Sequence, residues 1–145
     1  MAICVAQSLA GNDGLGLEGG EVIARAIRSS KITSLDVGDC RLGPGGAAAV
    51  LSAALDCTRL GTLALYSNRI GDDGALALSP LFPELSMLTA LDLTDNNFGP
   101  VGVAALADGL AGNQSLTVLE IGRVGEQAQR SYIDRVLVES FCVTA

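Results

Sequence analysis

Residues 88–116 read LTALDLTDNNFGPVGVAALADGLAGNQSL, and the period of the apolar residues changes partway along. In LTALDL they fall on alternate positions. Leu91 and Leu93 therefore face one way while Ala90, Asp92 and Thr94 face the other, as in a strand with one buried face. After Phe98-Gly99 the spacing widens: Val103, Leu106 and Leu110 stand at i, i+3 and i+7, one helical stripe to lay against that strand. Asn96 stands where the chain turns away, and a buried amide there can bond free backbone groups of its own and the neighbouring turn. Gly99 and Gly102 allow positive φ or close packing as the helix begins.

The same unit recurs. Ile32, Leu35 and Val37, then Leu60, Leu63 and Leu65, then Leu88, Leu91 and Leu93, then Leu116, Leu119 and Ile121 follow one another at steps of 28 residues. Cys40, Asn68 and Asn96 hold the turn position, followed by Leu42-Gly43, Ile70-Gly71 and Phe98-Gly99, with a second glycine at Gly46, Gly74 and Gly102. Counting back 28 from Val37 and Cys40 gives Leu9 and Asn12, so a first unit exists with a slightly longer turn. This settles the reading of GLGLEGG at 14–20, where Gly14, Gly16 and Gly19 spell the dinucleotide fingerprint and Asp36 stands where a ribose-binding carboxylate would. Gly16 and Gly19 are the repeat glycines, and only Gly14 in the enlarged turn completes the match; a nucleotide loop has no reason to recur three more times without its first glycine.

The pattern L-x-x-L-x-L-x-x-N/C-x-I/L-G-x-x-G, followed by a helix of the form A-x-x-L-x-x-x-L, resembles the leucine-rich repeats of the ribonuclease-inhibitor type, with Cys40 matching that family's alternation of Asn and Cys. The resemblance covers nearly the whole chain. It implies an α/β fold: a right-handed leucine-rich-repeat solenoid, a short horseshoe of about five strand–helix units with a parallel sheet on the concave face and an asparagine ladder along its turns. A single domain over 1–145 is expected, with units near 4–31, 32–59, 60–87 and 88–115 and a C-terminal capping unit over 116–145. In that last unit EQAQRSYIDRVLVES replaces the turn and glycine pattern with an amphipathic helix, the expected form of a cap. Pro80 and Pro83 in ALALSPLFPEL predict a short or distorted third helix. The first unit starts almost directly in a strand, so it protects itself, belongs to a larger chain, or self-associates through that edge.

Composition narrows the function. The chain of 145 residues carries nine basic against sixteen acidic residues, a formal net charge of −7, which argues against nucleic acid or an anionic membrane as ligand. There is no histidine, which removes Ser-His-Asp and Cys-His chemistry and the histidine zinc motifs. Cys4, Cys40, Cys57 and Cys142 are scattered without a C-x-x-C, so no metal site is expected, and they read as reduced, mostly buried thiols. Asp72-Asp73-Gly74 lacks calcium-loop spacing, and Asn113-Gln114-Ser115 reads as a loop. MAICVAQSLA lacks the charged start and long apolar core of a signal peptide or membrane span, so a cytoplasmic location is expected. No cofactor is indicated.

Strand residues pointing away from the core step by 28 into columns: Ser8, Asp36, Ala64, Asp92, Glu120; then Ala10, Gly38, Tyr66, Thr94, Gly122; then Gly11, Asp39, Ser67, Asp95, Arg123. Five acids and one tyrosine gather there. Either this is a solvated face that aids solubility, or it is a binding surface for a basic or neutral protein partner, made by Asp36, Asp39, Tyr66, Asp92, Asp95 and Glu120 with Arg69 and Arg123 at the margin. Paired acids such as Asp92 and Asp95 lack the desolvating pocket that acid–base catalysis needs, so the expected function is a non-enzymatic protein–protein interaction module. The alternatives are a regulator of a small GTPase, since the activator of the GTPase Ran uses this repeat type, and the repeat portion of a larger nucleotide-binding leucine-rich receptor. Inhibition of a ribonuclease fits less well, because the chain has far fewer units than the family's inhibitors.

Overall fold

The computed structural model describes residues 5–122, so Arg123, the capping helix, Cys4 and Cys142 lie outside the described residues. Strand and helix alternate: β1 (Ala6–Ser8), α1 (Gly16–Arg28), β2 (Ser34–Asp36), α2 (Gly43–Asp56), β3 (Thr62–Ala64), α3 (Gly71–Leu78), β4 (Ala90–Asp92), α4 (Pro100–Leu110) and β5 (Val118–Glu120). The strands form one parallel sheet in chain order. Each strand residue pairs with the residue 28 positions on, as in Ala6 with Ser34, Ser34 with Thr62, Thr62 with Ala90 and Ala90 with Val118. Strands that recur at a fixed step, each followed by a helix returning the chain over the same face, can only stack side by side. The result is a leucine-rich-repeat solenoid.

The core lies between sheet and helices, and the alternation of the strands fills it. Leu35, Leu63 and Leu91 point in from the strands, and Val37, Leu65 and Leu93 follow two positions later, all buried. From the other side come the helical stripes Ala47–Val50–Ala54, Ala75–Leu78–Phe82 and Val103–Leu106–Leu110, buried as their spacing predicts. The third helix is shortened, also as expected: α3 stops at Leu78 and the chain continues as a 3-10 turn over Ser79–Glu84 containing Pro80 and Pro83. Neither proline can donate to an α-helical ladder, so the tighter turn takes over.

The two glycines of each unit have separate tasks. The first takes positive φ in Gly16, Gly43 and Gly71, turning the chain into the helix, whereas Gly99 before Pro100 stays extended in φ at −94°. The second allows close approach: a Cβ on Gly74 would lie 3.2 Å from the Cα of Pro44, and one on Gly102 would lie 3.1 Å from the Cα of Asp72. Among the described residues six non-glycines also take positive φ, namely Asp39, Arg41, Ser67, Arg69, Asp95 and Asn97, two in each of three turns. Hydrophobic periodicity says nothing about these positions.

The asparagine ladder implied by the resemblance is present. Asn68 Oδ1 accepts from the backbone N–H of Cys40 and Leu42, while its Nδ2 donates to the carbonyls of Val37, Leu65 and Tyr66. Asn96 repeats this one unit on, accepting from Asn68 and Ile70 and donating to Leu65, Leu93 and Thr94. Cys40 fills the position with a thiol that donates to Leu9 O at 3.2 Å and Gly38 O at 3.3 Å. Burial, the largest influence on this thiol, pushes its pKa up and keeps it protonated as a donor. Among the described residues no helix is long and apolar enough to cross a membrane.

Candidate functional site

The sheet face opposite the helices carries the first column in register: Ser8 beside Asp36, Asp36 beside Ala64, Ala64 beside Asp92, Asp92 beside Glu120. Parallel pairing continues past the strands. Gly11 N donates to Gly38 O, Asp39 N to Tyr66 O and Ser67 N to Thr94 O, so the turn residues form further ordered rows. Neighbouring strands lie about 4.8 Å apart, which puts Asp36 and Asp92, with Ala64 between them, about 10 Å from each other.

Asp36 and Asp92 are half-buried and held. Asp36 Oδ1 accepts from Gly38 N at 3.0 Å and its Oδ2 accepts from Ser8 Oγ at 3.3 Å; Asp92 Oδ1 accepts from Thr94 N at 2.8 Å. These local bonds to the residue two positions on aim both carboxylates along the strand, towards the row that contains Tyr66. Asp39, Asp95, Glu120 and Arg69 are exposed. Asp39, Asp95 and Arg69 all sit at positive φ. Aspartate tolerates that conformation better than most residues, so turn geometry alone favours acids at 39 and 95. Arg69 stands in the turn beyond the rows rather than on the sheet, and Arg41 in the preceding turn is paired with Asp13 at 3.0 Å.

Tyr66 is half-buried, and its setting depends on a residue that sequence reasoning passed over. A Cβ at Gly38 would fall almost equally close to Cζ, Cε1 and Cε2 of Tyr66, which places it over the ring face and not at its edge. The ring thus lies flat across Gly38, possible only because that turn position has no side chain. Asp36, the largest influence, together with partial burial, Asp39 and Asp92, raises the pKa of the phenol above its ordinary value. The structure therefore gathers Asp36, Asp39, Tyr66 and Asp92 in one neighbourhood; Glu120 adjoins Asp92, and Asp95 lies two strands from Asp39. The signal for Gly38 was the column itself, a glycine one unit away from the only tyrosine among the described residues.

Two further polar residues tie units together away from this face. Asp72 accepts a 2.6 Å bond from Gly99 N at the start of α4. Asn113, expected to be an ordinary loop residue, donates to Phe82 O at 2.7 Å and accepts from the N–H groups of Ser115 and Leu116. Among the described residues no three Asp, Glu or Cys groups converge closely enough to hold a metal ion.

A leucine-rich-repeat family model matches residues 28–51, 57–79 and 84–107. The chain is built of leucine-rich repeats. The solved structure of leiomodin-1 actin-binding site 2 superposes on this repeat chain with a TM-score of 0.78 at 17% identity, over 95% of this chain and 81% of the other. The tropomodulin C-terminal domain of Caenorhabditis elegans gives 0.53 at 13% identity, over 88% and 94%. At such identities the likeness is one of fold. No curated protein matches the repeat chain significantly in sequence.

Proposed function

We propose that this leucine-rich-repeat chain is a non-enzymatic interaction module that holds a basic or neutral protein segment on its concave sheet face. Asp36, Asp39, Tyr66, Asp92, Asp95 and Glu120 are the chief contacts, with Arg69 at the margin. The observation that carries this reading is the pair of held carboxylates, Asp36 and Asp92, flanking an open sheet position beside Tyr66. We place the repeats in the ribonuclease-inhibitor subtype on the Asn/Cys turn position and the helix in each unit.

The triple variant Asp36→Lys, Tyr66→Ala, Asp92→Lys, shown to be folded by circular dichroism, is expected to lose basic proteins that the wild-type chain captures from cytosolic extract. Equal capture by both would remove the assignment of this surface. The leiomodin-1 structure is that of an actin-binding site, which makes filament co-sedimentation the first assay with a defined partner.

Self-association through β1 belongs to the same proposal. The three residues of β1 are exposed, and the first unit contributes Leu9, Leu17 and Val22 to the exposed large apolar side chains. Among the described residues no strand pairs with the outer edge of β1, and an open edge without a charge invites a second strand. Sedimentation equilibrium is expected to show concentration-dependent dimers that Gln7→Lys abolishes; dimers unaffected by that change would place the contact elsewhere.

A further inference from the structure

The concave-face reading leaves open which chemical group the face selects, and the setting of Tyr66 narrows it. One face of the ring is laid on Gly38, so the other is presented outward as a flat apolar platform with a negative quadrupole. Around it stand the carboxylates of Asp36, Asp39 and Asp92, the three acids that bear on the phenol. Ala64, small and half-buried, forms the floor between Asp36 and Asp92. Two of these carboxylates are already oriented by bonds to Gly38 N and Thr94 N, so little side-chain entropy is left to lose when a ligand docks.

Within the two inner rows no basic residue of the described chain offsets the acids. Ser8, Asp36, Ala64, Asp92, Glu120 and Ala10, Gly38, Tyr66, Thr94, Gly122 include three acids and no basic residue. Arg28 and Arg41 are paired with Asp56 and Asp13 away from these rows. A metal ion does not answer this arrangement, because the carboxylates of the described residues do not converge on one point. A flat organic cation does: it can stack on the ring while its edge meets a carboxylate. A guanidinium is planar, weakly hydrated, and forked to pair with a carboxylate; an ammonium is a strongly hydrated point charge that gains less from stacking.

Resting on the concave-face reading, we infer that the ring of Tyr66, laid on Gly38 and bordered by Asp36, Asp39 and Asp92, is a seat for an arginine side chain carried by an extended partner segment. The guanidinium stacks on the outward ring face and its fork pairs with Asp36, while Asp39 and Asp92 supply the surrounding field. Specificity for arginine over lysine resides in Tyr66, and attraction for either resides in the acids.

The test uses two capped peptides, acetyl-Gly-Ser-Gly-Arg-Gly-Ser-Gly-amide and its lysine twin, titrated into the labelled full chain while the amide resonances of Gly38, Ala64 and Tyr66 are followed. The arginine peptide is expected to bind at these amides about fivefold or more tightly than the lysine peptide. Tyr66→Phe should keep that preference, and Tyr66→Leu should reduce it to parity. Equal binding of both peptides that is lost in Asp36→Asn, Asp92→Asn overturns the arginine seat and leaves an acidic concave surface standing. A preference that survives Tyr66→Leu also overturns it. So does the absence of shifts at these amides with either peptide, in which case the pull-down comparison decides the broader reading on its own.

Discussion

Asn68→Ala is expected to destabilise the fold by about 4 kcal/mol in urea unfolding. The side chain is fully buried and serves five backbone groups. Not all five would be stranded. Leu65 O keeps its bond from Asn96 Nδ2, and Tyr66 O keeps the N–H of Asp39. Three are left without the partner they have now: the N–H groups of Cys40 and Leu42, at 3.1 and 3.2 Å from Oδ1, and the carbonyl of Val37 at 2.8 Å from Nδ2. Each buried orphan costs about 1–3 kcal/mol, and water entering the vacated space recovers part of the sum. Cys40→Ala is the control at the equivalent position one unit earlier. There Leu9 O still receives Asn12 Nδ2 at 2.5 Å and Gly38 O still receives Gly11 N, so the loss should stay near 1 kcal/mol. Equal losses for the two variants would show that the amide ladder contributes no more than the volume it fills.

The contrast between Asn68 and Cys40 marks how far the sequence could be read. Sheet order, register and the buried helical stripes follow from the leucine columns, because burial acts on every unit alike and so repeats at the same step. Pro80 and Pro83 likewise announce the broken third helix, since each removes a donor whatever its neighbours are. The turns were harder. Positive φ at Arg41 and Arg69 has no local signature, and it emerges only once both flanking strands are pinned to their neighbours. The candidate face was legible as a set of columns but not as an arrangement. That Tyr66 lies flat depends on Gly38, a residue 28 positions away that only strand pairing brings beside it. Asp36 and Asp92 gain weight as ligands from bonds that aim them, whereas Asp39 and Asp95 are partly accounted for by the turn conformation they occupy. Asn113 escaped because its acceptor, the carbonyl of Phe82, belongs to the preceding unit.

Phe82→Ala is the second large effect, expected to cost about 4 kcal/mol. The column of inward helical residues at this depth runs Ala54, Phe82, Leu110, all buried, and the largest member stands where the helix fails. Over Ser79–Glu84 the chain is wound as a 3-10 turn, narrower and longer per residue than an α-helix, so its backbone covers less of the sheet beneath. The phenyl ring of Phe82, fully buried, occupies the room that a wider helix would have filled. Its removal leaves a cavity in the middle unit that two prolines prevent the backbone from closing. The same residue also links units through its carbonyl, which accepts from Asn113 Nδ2 at 2.7 Å and from Leu85 N at 3.1 Å. A stacked array holds together through nearest-neighbour interfaces, so weakening the middle unit should lower the cooperativity of unfolding as well as its midpoint. Urea unfolding of Phe82→Ala is therefore expected to show a reduced slope or two resolved steps, whereas Phe82→Leu, which restores the side chain present at 110, should keep one transition and lose only about 1 kcal/mol. If Phe82→Ala unfolds in a single transition of unchanged slope, displaced by less than about 1 kcal/mol, the ring is not what bridges the broken helix, and the coupling of the third unit to its neighbours must reside in the asparagine ladder alone.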